Sequence, residues 1–93
     1  MVYFGDVEEL EKVEVVEELN DLNYLILFND DVNTFDHVID TLVKVCKHDP
    51  LQAEQCAMIV HYKGKCTVKT GELAKLKPMC SALLDAGLSA EIQ

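Results

Sequence analysis

Ninety-three residues, 49% of them hydrophobic and only two of them proline, suffice for one small domain with a single core. A formal charge of −9 with no arginine anywhere excludes the clustered Lys and Arg that phosphate-backbone binding needs, so no nucleic acid is expected as a partner. No run approaches the roughly 20 apolar residues of a membrane span, so no membrane is expected either.

The charge is unevenly spread. Residues 1–22 hold eight acids and one lysine, net −7, while the remaining 71 hold nine acids and seven lysines, net −2. The opening MVYFGDVEELEK lacks the basic end and apolar stretch of a signal peptide, and the expected location is cytoplasmic. Val7, Leu10, Val13, Val16 and Leu19 recur three apart, a loose helical stripe in a segment too charged to bury much. The expectation is an acidic flexible N-terminal extension over 1–22 and a folded domain over 23–93.

Tyr24-Leu25-Ile26-Leu27-Phe28 is a short apolar run ended by turn formers, the pattern of a strand covered on both faces. Phe35, Val38, Ile39, Leu42, Val43 and Cys46 then fall on one face of a helix over about 35–47. Asp49-Pro50-Leu51-Gln52 starts a second helix, with Asp as N-cap and Pro in the first turn where no amide is needed. That helix runs to about Tyr62, and Gly64 breaks it. Lys65-Cys66-Thr67-Val68-Lys69 alternates as a half-exposed strand, after which Thr70-Gly71 is expected to turn the chain.

Glu72 to Ala86 has a helical composition, but Pro78 removes a hydrogen bond and disfavours helix at Lys77, which predicts a kink or a late start. Gly87 is a good cap, and Leu88 to Ile92 closes the chain as a third strand. The order β-α-α-β-α-β predicts an α+β sandwich with helices on one face of a three-stranded antiparallel sheet.

Four cysteines at wide spacings, without a C-x-x-C pair, read as reduced small hydrophobes. Cys46, His48, His61 and Cys66 offer Cys-x-His and His-x4-Cys, not the close pairs of structural zinc sites, so neither metal nor cofactor is expected.

The cluster Asn29-Asp30-Asp31 between strand and helix has two readings. As a turn, it leaves Asn33 or Thr34 to cap the helix, with the acids near the positive end of its dipole. That accounts for one acid and not for two, since adjacent carboxylates repel unless a cation joins them. An EF-hand needs alternate oxygen ligands, Gly at six and Glu at twelve, which N-D-D-V-N-T-F-D-H-V-I-D lacks. An ammonium group, such as a free α-amino terminus that is mostly charged at neutral pH, asks only for two or three acceptors.

The stretch L-F-N-D-D-V-N-T-F-D-H-V-I-D-T-L, followed by C-A-M-I-V-H-Y-K-G-K, resembles the ClpS family, adaptors of the Clp ATP-dependent protease. The resemblance spans about Tyr24 to Ile92. It implies a receptor for N-degrons, proteins whose first residue is bulky and hydrophobic, delivered to a Clp AAA+ unfoldase of the ClpA or ClpC type. It implies that Asn29, Asp30 and His61 bind the substrate's α-amino group, that Asp31 shapes the turn and adds field together with Asn33, and that Phe35, Val38, Ala57, Val60 and Leu88 form the side-chain pocket. Glu72 and Lys77 match the unfoldase-facing residues. Departures are Asn33-Thr34-Phe35 where the family often has Thr-Pro-Met, a shorter connection after Gly64-Lys65, and Ala57 where Met is common.

Without the resemblance, each pocket residue would be read as core packing and His61 as a satisfied buried histidine. A generic interaction module with the same order as the ribosomal stalk protein C-terminal domain is the alternative. An enzyme built on Asp30 and His61 has no nucleophile, phosphate loop or metal set beside it, and none is expected.

Overall fold

The computed structural model describes residues 22–93, so the expectations for the acidic extension lie outside the described residues except at Leu22, which begins the first strand. The element order is β1 (Leu22–Phe28), α1 (Phe35–Cys46), α2 (Pro50–Lys63), β2 (Lys65–Glu72), α3 (Leu73–Asp85) and β3 (Ser89–Ile92). The sheet is antiparallel with order β2-β1-β3. Its most apolar strand is central, because only there are both edges of the backbone paired. Leu25, Ile26 and Leu27 are buried in succession, as the unbroken apolar run requires.

Side chains alternate along a strand, so Leu25 and Leu27 share one face. Both join a core with Leu42 and Cys46 of α1, Ala53, Cys56 and Val60 of α2, and Leu76 and Leu83 of α3. All three helices therefore cover the same face of the sheet. The buried positions of α2 are Ala53, Cys56, Ala57 and Val60, a stripe of small side chains that lets this helix lie close to its neighbours.

Helix ends follow their caps. Of the two candidates for α1, Thr34 is the N-cap, its hydroxyl accepting from the His37 amide at 3.1 Å. Asp49 caps α2, accepting from the Gln52 amide at 2.8 Å, with Pro50 in the first turn. Gly64 ends α2 at φ +94°. Helix α1 stops one residue short of expectation because Lys47 leaves it in the left-handed region, at φ 61°. A lysine there is strained where glycine is not, so Lys47→Gly is expected to raise stability by about 0.5 to 1 kcal/mol, read as a higher urea midpoint at unchanged slope.

Thr70-Gly71 does not turn the chain. β2 continues through both to Glu72, because β1 begins at Leu22 and offers Tyr24, Asn23 and Leu22 as partners for Thr70, Gly71 and Glu72. The longer ladder contains a bulge: Leu25 pairs with Lys69 and Ile26 with Thr67, leaving Val68 without a partner. The Val68 carbonyl instead faces Nε2 of the buried His48 at 2.7 Å. A carbonyl only accepts, so Nε2 carries the proton, and buried Nδ1 has no partner among the described residues.

Pro78 neither delays α3 nor breaks its span. The helix starts at Leu73 and holds Pro78 inside it, anchored by buried Leu76 before the proline and Leu83 after it. Its end is a Schellman turn. Gly87, at φ +90°, donates to the Leu84 carbonyl and Leu88 to the Leu83 carbonyl, both at 3.0 Å. Leu88 is thus the residue after the cap rather than the first residue of β3.

The cysteines are free: Cys46 and Cys56 are buried, Cys66 and Cys80 half-buried. Burial pushes the Cys46 thiol up to about 11 and, with Cys66 beside it, the Cys56 thiol up to about 12. Both stay protonated at neutral pH and behave as small apolar groups. No helix among the described residues is long and apolar enough to cross a membrane.

Candidate functional site

A cavity of about 340 Å³ opens where the end of β1, the loop after it, the start of α1, the middle of α2 and the turn before β3 converge. Every residue singled out from the sequence for amine or side-chain binding lines it: Asn29, Asp30, Asp31, Asn33, Phe35, Val38, Ala57, Val60, His61 and Leu88. Leu27, Phe28 and Thr34 complete the lining. Polar and apolar sets from distant stretches of chain thus meet at one place. Glu72 and Lys77 are exposed and lie outside it.

The polar wall begins as β1 ends. The Asn29 amide donates to the Gly64 carbonyl at 2.9 Å, which ties the strand exit to the end of α2. Asp30 then folds the chain back on itself, its Oδ1 accepting from the amides of Val32 and Asn33 at 3.0 Å each. This is an Asx-type turn. Asp30, not Asp31, therefore shapes the turn, a correction to the sequence-based assignment. A turn is set by the carboxylate whose own chain lies two and three residues ahead within reach, and neighbouring acids cannot be ranked for that from sequence. Asp31 is exposed.

Burial works to raise the Asp30 carboxyl, but hydrogen bonds from Asn33 and Val32, with His37 nearby, outweigh it and hold the group below the usual carboxylate range. Asp30 is ionised at any pH where the fold is of interest. Asn33 donates its side-chain amide to both Asp30 oxygens, at 3.0 and 2.9 Å, and to the Gly87 carbonyl at 2.8 Å.

His61 is exposed at the cavity, not a satisfied core histidine. Its ring tilts against Phe35 with centroids 5.3 Å apart and meets Tyr62 edge-on at 5.0 Å. None of the hydrogen bonds among the described residues occupies its ring nitrogens, which remain available to a ligand. Ala57, Val60 and Leu88 are buried at the cavity, Val38 is half-buried, and Phe35 is exposed over two-fifths of its surface.

Two participants escaped the sequence reading. His37 places Nε2 2.8 Å from the Ala86 carbonyl, and Gly87 supplies the carbonyl that Asn33 holds. Positive φ at Gly87 was foreseeable from its role as a cap. Contacts spanning 49 and 54 residues left no local signal.

The arrangement presents an ionised carboxylate, amide oxygens and an imidazole beside an apolar recess. Among the lining residues the sole hydroxyl, Thr34, is engaged as a helix cap. No group at the cavity is set up as a nucleophile, and the chemistry offered is recognition of a cation that carries an apolar group. Among the described residues no cluster of His, Cys, Asp or Glu is placed to hold a metal ion.

The fold is similar to that in the structure of Agrobacterium tumefaciens ClpS2 bound to L-phenylalaninamide, with a TM-score of 0.72 and 22% identity, covering 78% of this chain and 95% of that one. A ClpS adapter protein of the ATP-dependent Clp protease from Nitratidesulfovibrio vulgaris is 36% identical over 55 residues, which are 57% of this chain. The match spans about half of that relative's length, 55%. The model of the family described as ATP-dependent Clp protease adaptor protein ClpS matches residues 18–91, which take in the whole cavity and every described helix and strand except Ile92 at the end of β3, and the chain belongs to the ClpS family.

Proposed function

We propose that the protein is an adaptor that captures the free N-terminal bulky hydrophobic residue of N-degron substrates and hands them to a Clp AAA+ unfoldase of the ClpA or ClpC type. The observation that carries this is a cavity in which ionised Asp30 and His61, whose ring nitrogens make no hydrogen bond among the described residues, stand beside Phe35, Val38, Ala57, Val60 and Leu88. Asn29, Asp30 and His61 would hold the α-ammonium, and the apolar residues the first side chain. The A. tumefaciens relative was solved with L-phenylalaninamide, a molecule with a free α-amino group on an aromatic residue, which supports the same chemistry here. A cavity near the lower end of the roughly 300 to 1,000 Å³ range of ligand sites suits one residue rather than a long peptide.

Capture and delivery use different surfaces in this reading. Exposed Glu72 and Lys77, away from the cavity, are the proposed unfoldase contacts, and the acidic segment 1–22 would assist the hand-off. The role is cytoplasmic and involves no catalysis by this chain. A generic module of the ribosomal stalk type would have no use for an amine-binding recess. Fluorescence anisotropy with peptides that differ only in their first residue tests the proposal: free N-terminal Phe, Leu, Tyr or Trp should bind and free N-terminal Ser or Glu should not.

Ala57 should govern breadth. Exchanging it for Met adds three heavy atoms at a buried position on the cavity wall, beside the substrate's Cβ in this reading. Ala57→Met is expected to penalise N-terminal Ile and Val against Leu and Phe by roughly 1 to 3 kcal/mol. An unchanged ranking in the same peptide panel would place the wall elsewhere.

A further inference from the structure

Resting on the adaptor reading, we propose that Asn33 is the positioning residue of the site, one side chain that sets the amine-binding acid and the apolar wall relative to each other. The backbone turn alone does not explain its contacts. Asp30 already receives the amides of Val32 and Asn33 on Oδ1, which suffices for the turn. The Asn33 amide then reaches both carboxylate oxygens, at 3.0 and 2.9 Å. Having two hydrogens, it directs the other to the Gly87 carbonyl at 2.8 Å.

Gly87 is where that link has effect. The Schellman turn satisfies the carbonyls of Leu83 and Leu84 from within. Past Asp85, the carbonyls of Ala86 and Gly87 receive side-chain donors from the other side of the site: His37 Nε2 at 2.8 Å and Asn33 Nδ2 at 2.8 Å. Leu88, the next residue, is buried in the cavity wall. A chain of direct contacts therefore runs from the Asp30 carboxylate through the Asn33 amide to the backbone that places Leu88. The charged neighbour acting on Asp30 is His37 on α1, Asp31 and His61 line the same cavity, and the turn before β3 presents carbonyls.

A donor amide on both oxygens orients the carboxylate and favours its charged form. Removing that amide leaves Asp30 held through Oδ1 alone, with Oδ2 without its donor, and takes away one of the two side-chain links to the turn that carries Leu88. Alanine keeps the main-chain donors and removes the side-chain ones. Aspartate removes the donors and adds a repelling charge. Threonine keeps one donor, which cannot serve Asp30 and Gly87 together.

The test is carried out on the full chain in two arms. NMR titration of the Asp30 carboxyl in the unliganded protein should show its midpoint moving up in Asn33→Ala relative to the wild type. Anisotropy with a free N-terminal Phe peptide should show at least about a tenfold loss for Asn33→Ala at pH 7 and a larger one for Asn33→Asp. A depressed carboxyl keeps its charge until pH falls through its folded-state value, so the acid limb of binding should also begin at higher pH in Asn33→Ala. A role in folding alone would lower the melting temperature and move neither the titration nor the pH profile. An unmoved Asp30 midpoint, or an affinity within twofold of wild type, overturns the proposal. If Asn33→Ala does not fold, Asn33→Gly, which likewise keeps the main-chain donor and removes the side-chain ones, gives the same comparison. If the wild type binds no amine the adaptor reading fails, and the unliganded titration still decides whether Asn33 clamps Asp30.

Discussion

Acetylating the α-amino group of a Phe-initiated peptide is expected to weaken its capture by on the order of 1.5 to 3 kcal/mol, and by more if the site excludes water. The blocked peptide keeps the phenyl ring and loses only the cation. Asp30 would then face a neutral amide while staying ionised, since hydrogen bonds from Asn33 and Val32 hold it below the usual carboxylate range against the effect of burial. A carboxylate that cannot neutralise itself must keep its charge without a partner, and that is the source of the loss. Asp30→Asn should reproduce much of the effect from the protein side, because it retains an oxygen for the turn and removes the charge. Equal affinity for free and acetylated peptides, measured by anisotropy, would sink the adaptor reading.

Leu83→Ala is expected to lower unfolding free energy by about 2 to 5 kcal/mol. Leu83 has no exposed surface and sits in the core with Leu25, Leu27 and Leu88. Its carbonyl also accepts the Leu88 amide that closes the Schellman turn, so its side chain packs on the turn its backbone secures. Against a typical total of about 5 to 15 kcal/mol the loss is large, and urea unfolding should show it as a lower midpoint. A change under about 1 kcal/mol would mean that neighbouring side chains collapse into the space.

Much of this was legible in the residues because it depends on local chemistry. Thr34, Asp49, Gly64 and Gly87 mark helix ends through their own side chains or backbone freedom, and the apolar run of β1 marks a central strand, buried at Leu25, Ile26 and Leu27 but exposed at Tyr24. Features that depend on a partner were not legible. β2 reaches Glu72 only because β1 starts at Leu22, and Thr70-Gly71 reads as a turn until that partner is known. Pro78 removes one hydrogen bond, and whether the helix survives is decided by Leu76 and Leu83 in the core. The same division holds at the cavity. The quoted motifs brought its lining residues to notice, but which of the two acids closes the turn is set by loop geometry, and the links from Asn33 and His37 to the turn before β3 are set by tertiary geometry.

The bulge at Val68 makes the chain length of β2 negotiable at one point. Losing a residue within a strand ordinarily turns every later side chain to the opposite face. Here Thr67 already pairs with Ile26 and Lys69 with Leu25, so a chain without Val68 would run as an uninterrupted ladder with both flanks facing as before. What such a shortened chain would lack is the buried Val68 side chain and the carbonyl that receives the buried His48 imidazole, stranding a second ring nitrogen beside one that has no partner among the described residues. The residue count of this strand is thus held by the core and by a histidine twenty positions upstream in sequence, not by the pairing of the sheet it belongs to.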